Sequence, residues 1–574
     1  MSKQQPVRRG FFLKSIASTL AAAAGWCTAA LIVGVTGVLI AQGHDGLAYT
    51  LGILAAAAIW ALVTVPMMSS VPAATSIPSY LGLRCESPVI GCIAAVILLV
   101  GLTGLLAAEI AAVQSLLRLF GQSQLALAVA VGVAAIGALM SLRTSAQPSA
   151  FNLTALMPAA LILAAIAVMV VAVVSLAYRD GPGALISIPI MADITSLEQG
   201  LLEKRLADPA TFKPHAVPFL RTSAANFISL IACLALGLAM LASPRPAGAP
   251  SAAVSAQRMA ARAVFALTAL IIVIPPVAAA AKRALLSLVS SGIRPSAVPE
   301  WLMNDIADGA VQVCGLTVPD AAALAKACGR GVGPQGFIRW HDVNFSTDAM
   351  LYAALDHASP IAAPLKIAIT LLVVAAALWT SRRIAALAYD AAPILSSASP
   401  APLGAVATIL AAASLIALAG PADAVTLMSW SAAFAAAGLA PAVLAAVLTT
   451  RPSAVATATA MITGAVLTLA LILAVRYAPV TLFAWSGMAE TAAPAAVRKL
   501  ANLQDAWASA ADGPGKEALR AQAERIARDG LNWFGIKPVA FGIFGFGIAL
   551  LIALTGSLIN SLARGRKPQA HGSN

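Results

Sequence analysis

About twelve stretches of roughly 20 apolar residues recur along this chain of 574 residues, and they restrict its fold more than any other feature. Each is long enough to cross a bilayer core of about 30 Å. Backbone groups inside lipid find no water, so such stretches must satisfy their own hydrogen bonds as helices. They fall at about 18–41, 47–68, 88–113, 125–142, 155–177, 227–242, 263–281, 361–380, 403–419, 425–448, 454–475 and 538–562, with the eighth staying helical to about 390. Alanine and glycine dominate them, which favours close helix–helix approach. Only 10% of the residues are charged and the mean hydropathy is +0.89, which excludes a soluble enzyme of this size. The expected fold class is all-α, a polytopic membrane protein.

The net charge of +13 is no nucleic-acid signal, because no long basic block exists. Twelve spans put both termini on one side. Arg8, Arg9 and Lys14 open the chain, and Arg564, Arg566 and Lys567 close it. Connections on the same side carry Arg84, Arg143, Arg245, Arg258, Arg262, Arg382, Arg383 and Arg451, whereas the short opposite ones carry little beyond Arg118. The positive-inside rule therefore places both termini in the cytoplasm. Residues 1–574 then read as a single membrane domain, with long segments at about 178–226, 282–360 and 476–537 facing outward. Cys314 and Cys328 share the second of these segments, beside a short helix expected at Ala321–Ala327. An oxidised pair and two free thiols both fit the spacing. The segment Pro514–Gly530 alternates charge at helical spacing and reads as a helix outside the membrane.

Five stretches carry a resemblance: VGVTGVLIAQGHDGLAYTLG (Val33–Gly52), TSIPSYLGLRCESP (Thr75–Pro88), ITSLEQGLLEKRL (Ile194–Leu206), NFISLIACLALGLAMLASP (Asn226–Pro244) and NWFGIKPVAFGIFGFGIALLIALTGSL (Asn532–Leu558). In order, they resemble the sodium:solute symporter family, especially its acetate and short-chain monocarboxylate permease branch. The resemblance implies a LeuT-type core of two inverted five-helix repeats, with solute and ion at mid-membrane between interrupted helices. It also implies a bacterial cytoplasmic (inner) membrane, a small organic solute, lipid as the only other partner, and no bound cofactor. No nucleotide loop, metal cluster or nucleophile triad argues for an enzyme.

Carried onto this chain, the family's sodium site would use the carbonyls of Ala24, Cys27 and Ala376 and hydroxyls at positions 379 and 380. Thr380 fits and Ser381 follows it, but Trp379 offers no oxygen. Arg382 and Arg383 stand where the family has an acid and a glycine. At about 7 Å and an effective dielectric of about 20, one guanidinium repels a sodium ion by roughly 2 kcal/mol. The other reading has both arginines snorkelling to the interface. Gly25 replaces an aspartate of the first core helix, while Thr28 keeps a hydroxyl. Thr154 survives in the fifth span, and Ala242 and Ser243 replace a Pro-His pair. These losses speak against sodium as the coupling ion.

Glu109 lies inside the third span, where a carboxylate is costly and must face the protein interior. It reads either as a proton-coupling group or as an acid hydrogen-bonded between helices. The sequence thus points to a symporter-like secondary transporter of a short-chain monocarboxylate such as acetate. The alternative is a membrane protein that keeps the scaffold without transporting, as a sensor or assembly partner.

Overall fold

The computed structural model describes residues 16–71, 73–120, 125–143, 153–177, 187–209, 212–242, 253–314, 318, 320–328, 336–396, 401–420, 423–449, 452–485, 494–509 and 514–565. Among them ten helices are long and apolar enough to span a membrane. One of these runs, Ala30–Ser70, turns at Gly43–Gly46, and Ala126–Arg143 forms a shorter apolar helix. Each of the twelve expected spans is therefore helical over most of its length. The only sheet among the described residues is a two-stranded antiparallel ribbon pairing Val311–Val313 with Val343–Phe345.

The chain divides into two compact units. The first comprises residues 1–76, 102–221 and 242–428. Within it the Ala362–Leu395 helix packs along Ala126–Arg143. Gly137 makes this approach feasible, since a Cβ there would overlap the Leu378 carbonyl oxygen. The helix Ala253–Ser290 packs on Leu153–Leu176 and on Ser187–Glu203. It runs nine residues beyond the expected end near 281 and carries Pro275 and Pro276 inside it.

The second unit comprises residues 77–101, 222–241 and 429–574. Its densest packing sets Ala454–Tyr477 against Gly542–Gly565. The seam is made of Ala445, Ala460, Ala549 and Ala553. At Gly237 and Gly464 a side chain would collide with the backbone of Ala432 and Ala437. This is the small-residue packing that the alanine-rich composition anticipates. The span ending near Ala242 is one regular helix, Ala224–Leu241. The helices Pro494–Ser509 and Pro514–Gly530 pair with each other, the latter matching the charge-patterned segment.

Candidate functional site

The first core helix is broken. Residues 16–24 are helical, Gly25–Thr28 are not, and helix resumes at Ala29 with a π-helical run over Ala30–Val35. The first half closes on itself: the amides of Gly25, Trp26 and Cys27 donate to the carbonyls of Ala22, Ala23 and Ala24. The second half needs acceptors for its free amides. Thr28 Oγ1 accepts from the Leu31 amide at 2.9 Å, as a helix cap does.

Glu109 supplies the rest. It is fully buried, and its Oε2 accepts from the Ala29 amide at 2.9 Å, with the Ala30 amide also donating to this carboxylate. Its Oε1 has no hydrogen-bond partner. An acid at the positive end of a half-helix is electrostatically favoured, and a buried one gains more than an exposed one. Of the two readings of Glu109, the hydrogen bonds are those of an acid held between helices.

Arg383 approaches the same break. A Cβ on Gly25 would lie 2.8 Å from its Nη1, so the guanidinium packs directly on the glycine. It also interacts electrostatically with Glu109. Ala376, Thr380 and Arg383 recur at i, i+4 and i+7, so they share one helix face. Arg382 points elsewhere: its guanidinium stacks over the Trp379 ring at 4.7 Å. The two arginines therefore meet different neighbours. The hydroxyls of Thr380 and Ser381 are buried without partners. Ser381 packs on Gly137 of the neighbouring helix. Ala24, Cys27 and Ala376 are fully buried along the break and its facing helix. Ala242 ends the described part of its helix; Ser243 and the side chain of Thr154 lie outside the described residues.

A second charged cluster was not foreseen. Asp348 and Asp423 meet at the N-terminus of the Ala424–Gly438 helix. Asp423 Oδ1 accepts from the Thr426 amide at 2.7 Å, and the Ala424 amide donates to Asp348. Ser115 donates to Asp348 Oδ2 at 3.0 Å, and Thr347 to Asp423 Oδ2 at 3.2 Å. Asp348 is only 5% exposed, and its Oδ1 has no partner. The pair borders a cavity of about 240 Å³ that Gln114, Ser115, Arg118 and Asp308 also line. Burial, then the neighbouring Asp423 charge, push the Asp348 carboxyl up to about 7, against the pull of the Ser115 and Ala424 donors. The chain before Asp348 lies on the broken helix: a Cβ at Gly37 would overlap the Thr347 carbonyl oxygen. In the sequence Asp423 shows only as an acid opening an apolar window, the mark of a helix cap.

A third group gathers at the Gly43–Gly46 turn. Asp45 accepts from the amides of Phe219 and Arg221 at 2.7 and 2.8 Å, and Glu198 accepts from the His215 amide at 2.8 Å. Burial, helped by the Lys282 and Arg221 charges, lowers His215 to about 3, so its ring is neutral. Lys282 lies over the Trp340 ring at 4.2 Å. These contacts hold the turn to the segment after Glu203 and read as structural. Cys314 and Cys328 are bonded as a disulfide with Cα atoms 5.5 Å apart, and the helix beside them is Ala321–Cys328.

No family model matches the sequence, and no curated protein matches it. The structure is similar to a Na+-coupled sialic acid symporter in a substrate-bound, outward-open state. The TM-score is 0.54 and the identity 12%, over 95% of this chain and 89% of that one. A variant of the Eremococcus coleocola manganese transporter follows at a TM-score of 0.43 and 12% identity, over 97% of both chains. The first likeness shows the fold: an all-α, multi-pass membrane protein of the LeuT type. The broken first helix is where that fold type places its interrupted segment.

Proposed function

We propose that the chain is a secondary active transporter that moves a small organic solute across the bacterial cytoplasmic membrane, with both termini inside. The solute class is a short-chain monocarboxylate such as acetate, a reading supported by the ordered sequence resemblance. The observation that carries the transport reading is the interrupted helix at Gly25–Thr28, inside a fold shared with a symporter. Half-helix ends at such a break are how this fold type recognises charged cargo.

Sodium does not fit as the coupling ion. The Arg383 guanidinium packs on Gly25 at the break, and Trp379 contributes no oxygen. A proton is the coupling ion this arrangement leaves. The second reading, a scaffold that senses or assembles without transporting, is favoured by the same guanidinium. Arg383 and Glu109 supply from the chain itself the cation and the carboxylate that a working carrier takes from solution.

Reconstituted vesicles given external labelled acetate under a sodium gradient, a proton gradient or neither decide between these. Uptake driven by the proton gradient and indifferent to sodium is expected. Sodium-driven uptake would overturn the coupling assignment. No uptake of acetate or its short-chain homologues under any gradient would leave the scaffold reading.

A further inference from the structure

Glu109 is an unpromising place for a moving proton, because two amides already hold its carboxylate and the Arg383 charge acts on it. The Asp348–Asp423 pair has the opposite character. A buried carboxylate, Asp348, adjoins a half-buried one, Asp423, and no cation is among the causes that act on Asp348. One of its oxygens is unpartnered. Like charges this close resist simultaneous ionisation, as two acids sharing a site do.

The surroundings are polar but not basic. Facing the pair are Ser115 and Gln114 from the Pro88–Arg118 helix, Thr347 from the pair's own segment, and the amides opening Ala424–Gly438. The first helix presents Gly34, which carries no charge; a Cβ there would sit 3.4 Å from Asp348 Oδ1. The charged groups on the cavity wall are Arg118 and Asp308, both exposed, so the cavity reaches solvent between them. A short path to water, a buried acceptor and an unused lone pair make a place where a proton can enter and leave.

We propose that Asp348 and Asp423 form a proton-binding site in which one proton, delivered from water through the Arg118–Asp308 mouth, is shared by the two carboxylates. The step forms an O–H bond on Asp348, takes the proton from hydronium and releases water. Its use as the coupling site rests on the transport reading above; its existence as a proton site does not.

The test is infrared difference spectroscopy on the full-length protein in lipid nanodiscs, following the protonated-carboxyl stretch as pH is stepped from about 5 to about 9. Wild type is expected to lose such bands near neutrality, Asp305 contributing one because burial and the Asp356 charge also push it up to about 7, and Asp348→Asn to lack one of these transitions. Asp423→Asn removes the neighbouring negative charge, so Asp348 should hold its proton at least about tenfold more weakly. Ser115→Ala removes a donor to the ionised form without adding bulk, so the proton should be held about three- to tenfold more tightly. Identical titrations in wild type and Asp348→Asn would overturn the proposal. So would displacement of the band by sodium at fixed pH, which would make the pair an alkali-ion site. A band that behaves as expected in a protein that moves no solute would defeat the transport reading and leave the proton site standing. Transport driven by a proton gradient in Asp348→Asn would keep the transport reading and overturn the use of the pair as the coupling site.

Discussion

Glu109 and Ser115, the latter bonded to Asp348, ride on one helix six residues apart, a rise of about 9 Å. Helix-end amides donate in both of the acid clusters they define, and the charge set beside them is what differs most. Around Glu109 the chain supplies its own positive charge, from Arg383 and from the amides of a half-helix. Around Asp348 it supplies a second negative charge instead. A self-compensated cluster is static and can support a fold. An uncompensated one must borrow a cation from solution, and a borrowed charge can be coupled to movement. Burial of an acid alone therefore says little about its role; the partner does.

The largest expected effect tests the compensated cluster. Glu109→Gln takes the negative charge from the two amides that donate to it and from the nearby Arg383 guanidinium, and a hydrogen bond to a charged group contributes about 1.5–3 kcal/mol. Thermal unfolding in detergent should show that loss, and Glu109→Gln combined with Arg383→Gln should recover much of it. A loss near zero, or full additivity, would mean that the two side chains do not compensate each other. Gly25→Ala comes next. Its new methyl group meets Arg383 Nη1 at 2.8 Å, and overpacking of this kind costs about 1–3 kcal/mol. In an Arg383→Ala background the same change should be nearly neutral.

The effect at the uncompensated cluster is the smallest when read over a single pH unit, and it has a definite sign. Folding raises the Asp348 pKa from the ordinary carboxylate range to about 7, so the native state binds more protons than the unfolded one. Stability then falls as pH rises across that window, by up to about 1.4 kcal/mol per pH unit, and is unaffected by Asp348 below it. Asp348→Asn should flatten that limb of the unfolding curve between about pH 4 and pH 7. An unchanged limb would break the contrast between the clusters.

Much of the architecture was legible because bilayer thickness imposes a length on every apolar stretch. The helices Ala454–Tyr477 and Ala401–Leu418 fall within a few residues of their expected bounds. The end of Ala253–Ser290 was missed because its last turns are partly polar, and length alone cannot say where a helix leaves lipid. The site was read unevenly. Thr28 and Glu109 were singled out, and both lie at the break. Arg382 and Arg383 were treated alike because sequence gives adjacency. On a helix, adjacent residues point about 100° apart, and only packing tells which one faces the neighbour. Asp348 and Asp423 were missed for a different reason. They lie 75 residues apart, and each looks alone like a loop acid or a cap.

At Gly37 the first helix has no side chain, and the main chain of Thr347 rests in the gap. The seat works like a linkage rod without slack. If the rod's upper end rocks, the carbonyl resting on it travels too, and Asp348 follows one bond later. Asp423 is mounted on a different bar, so rocking alters the gap between the two acids. A shift of the first helix at Gly37 would then set how firmly that pair grips a charge.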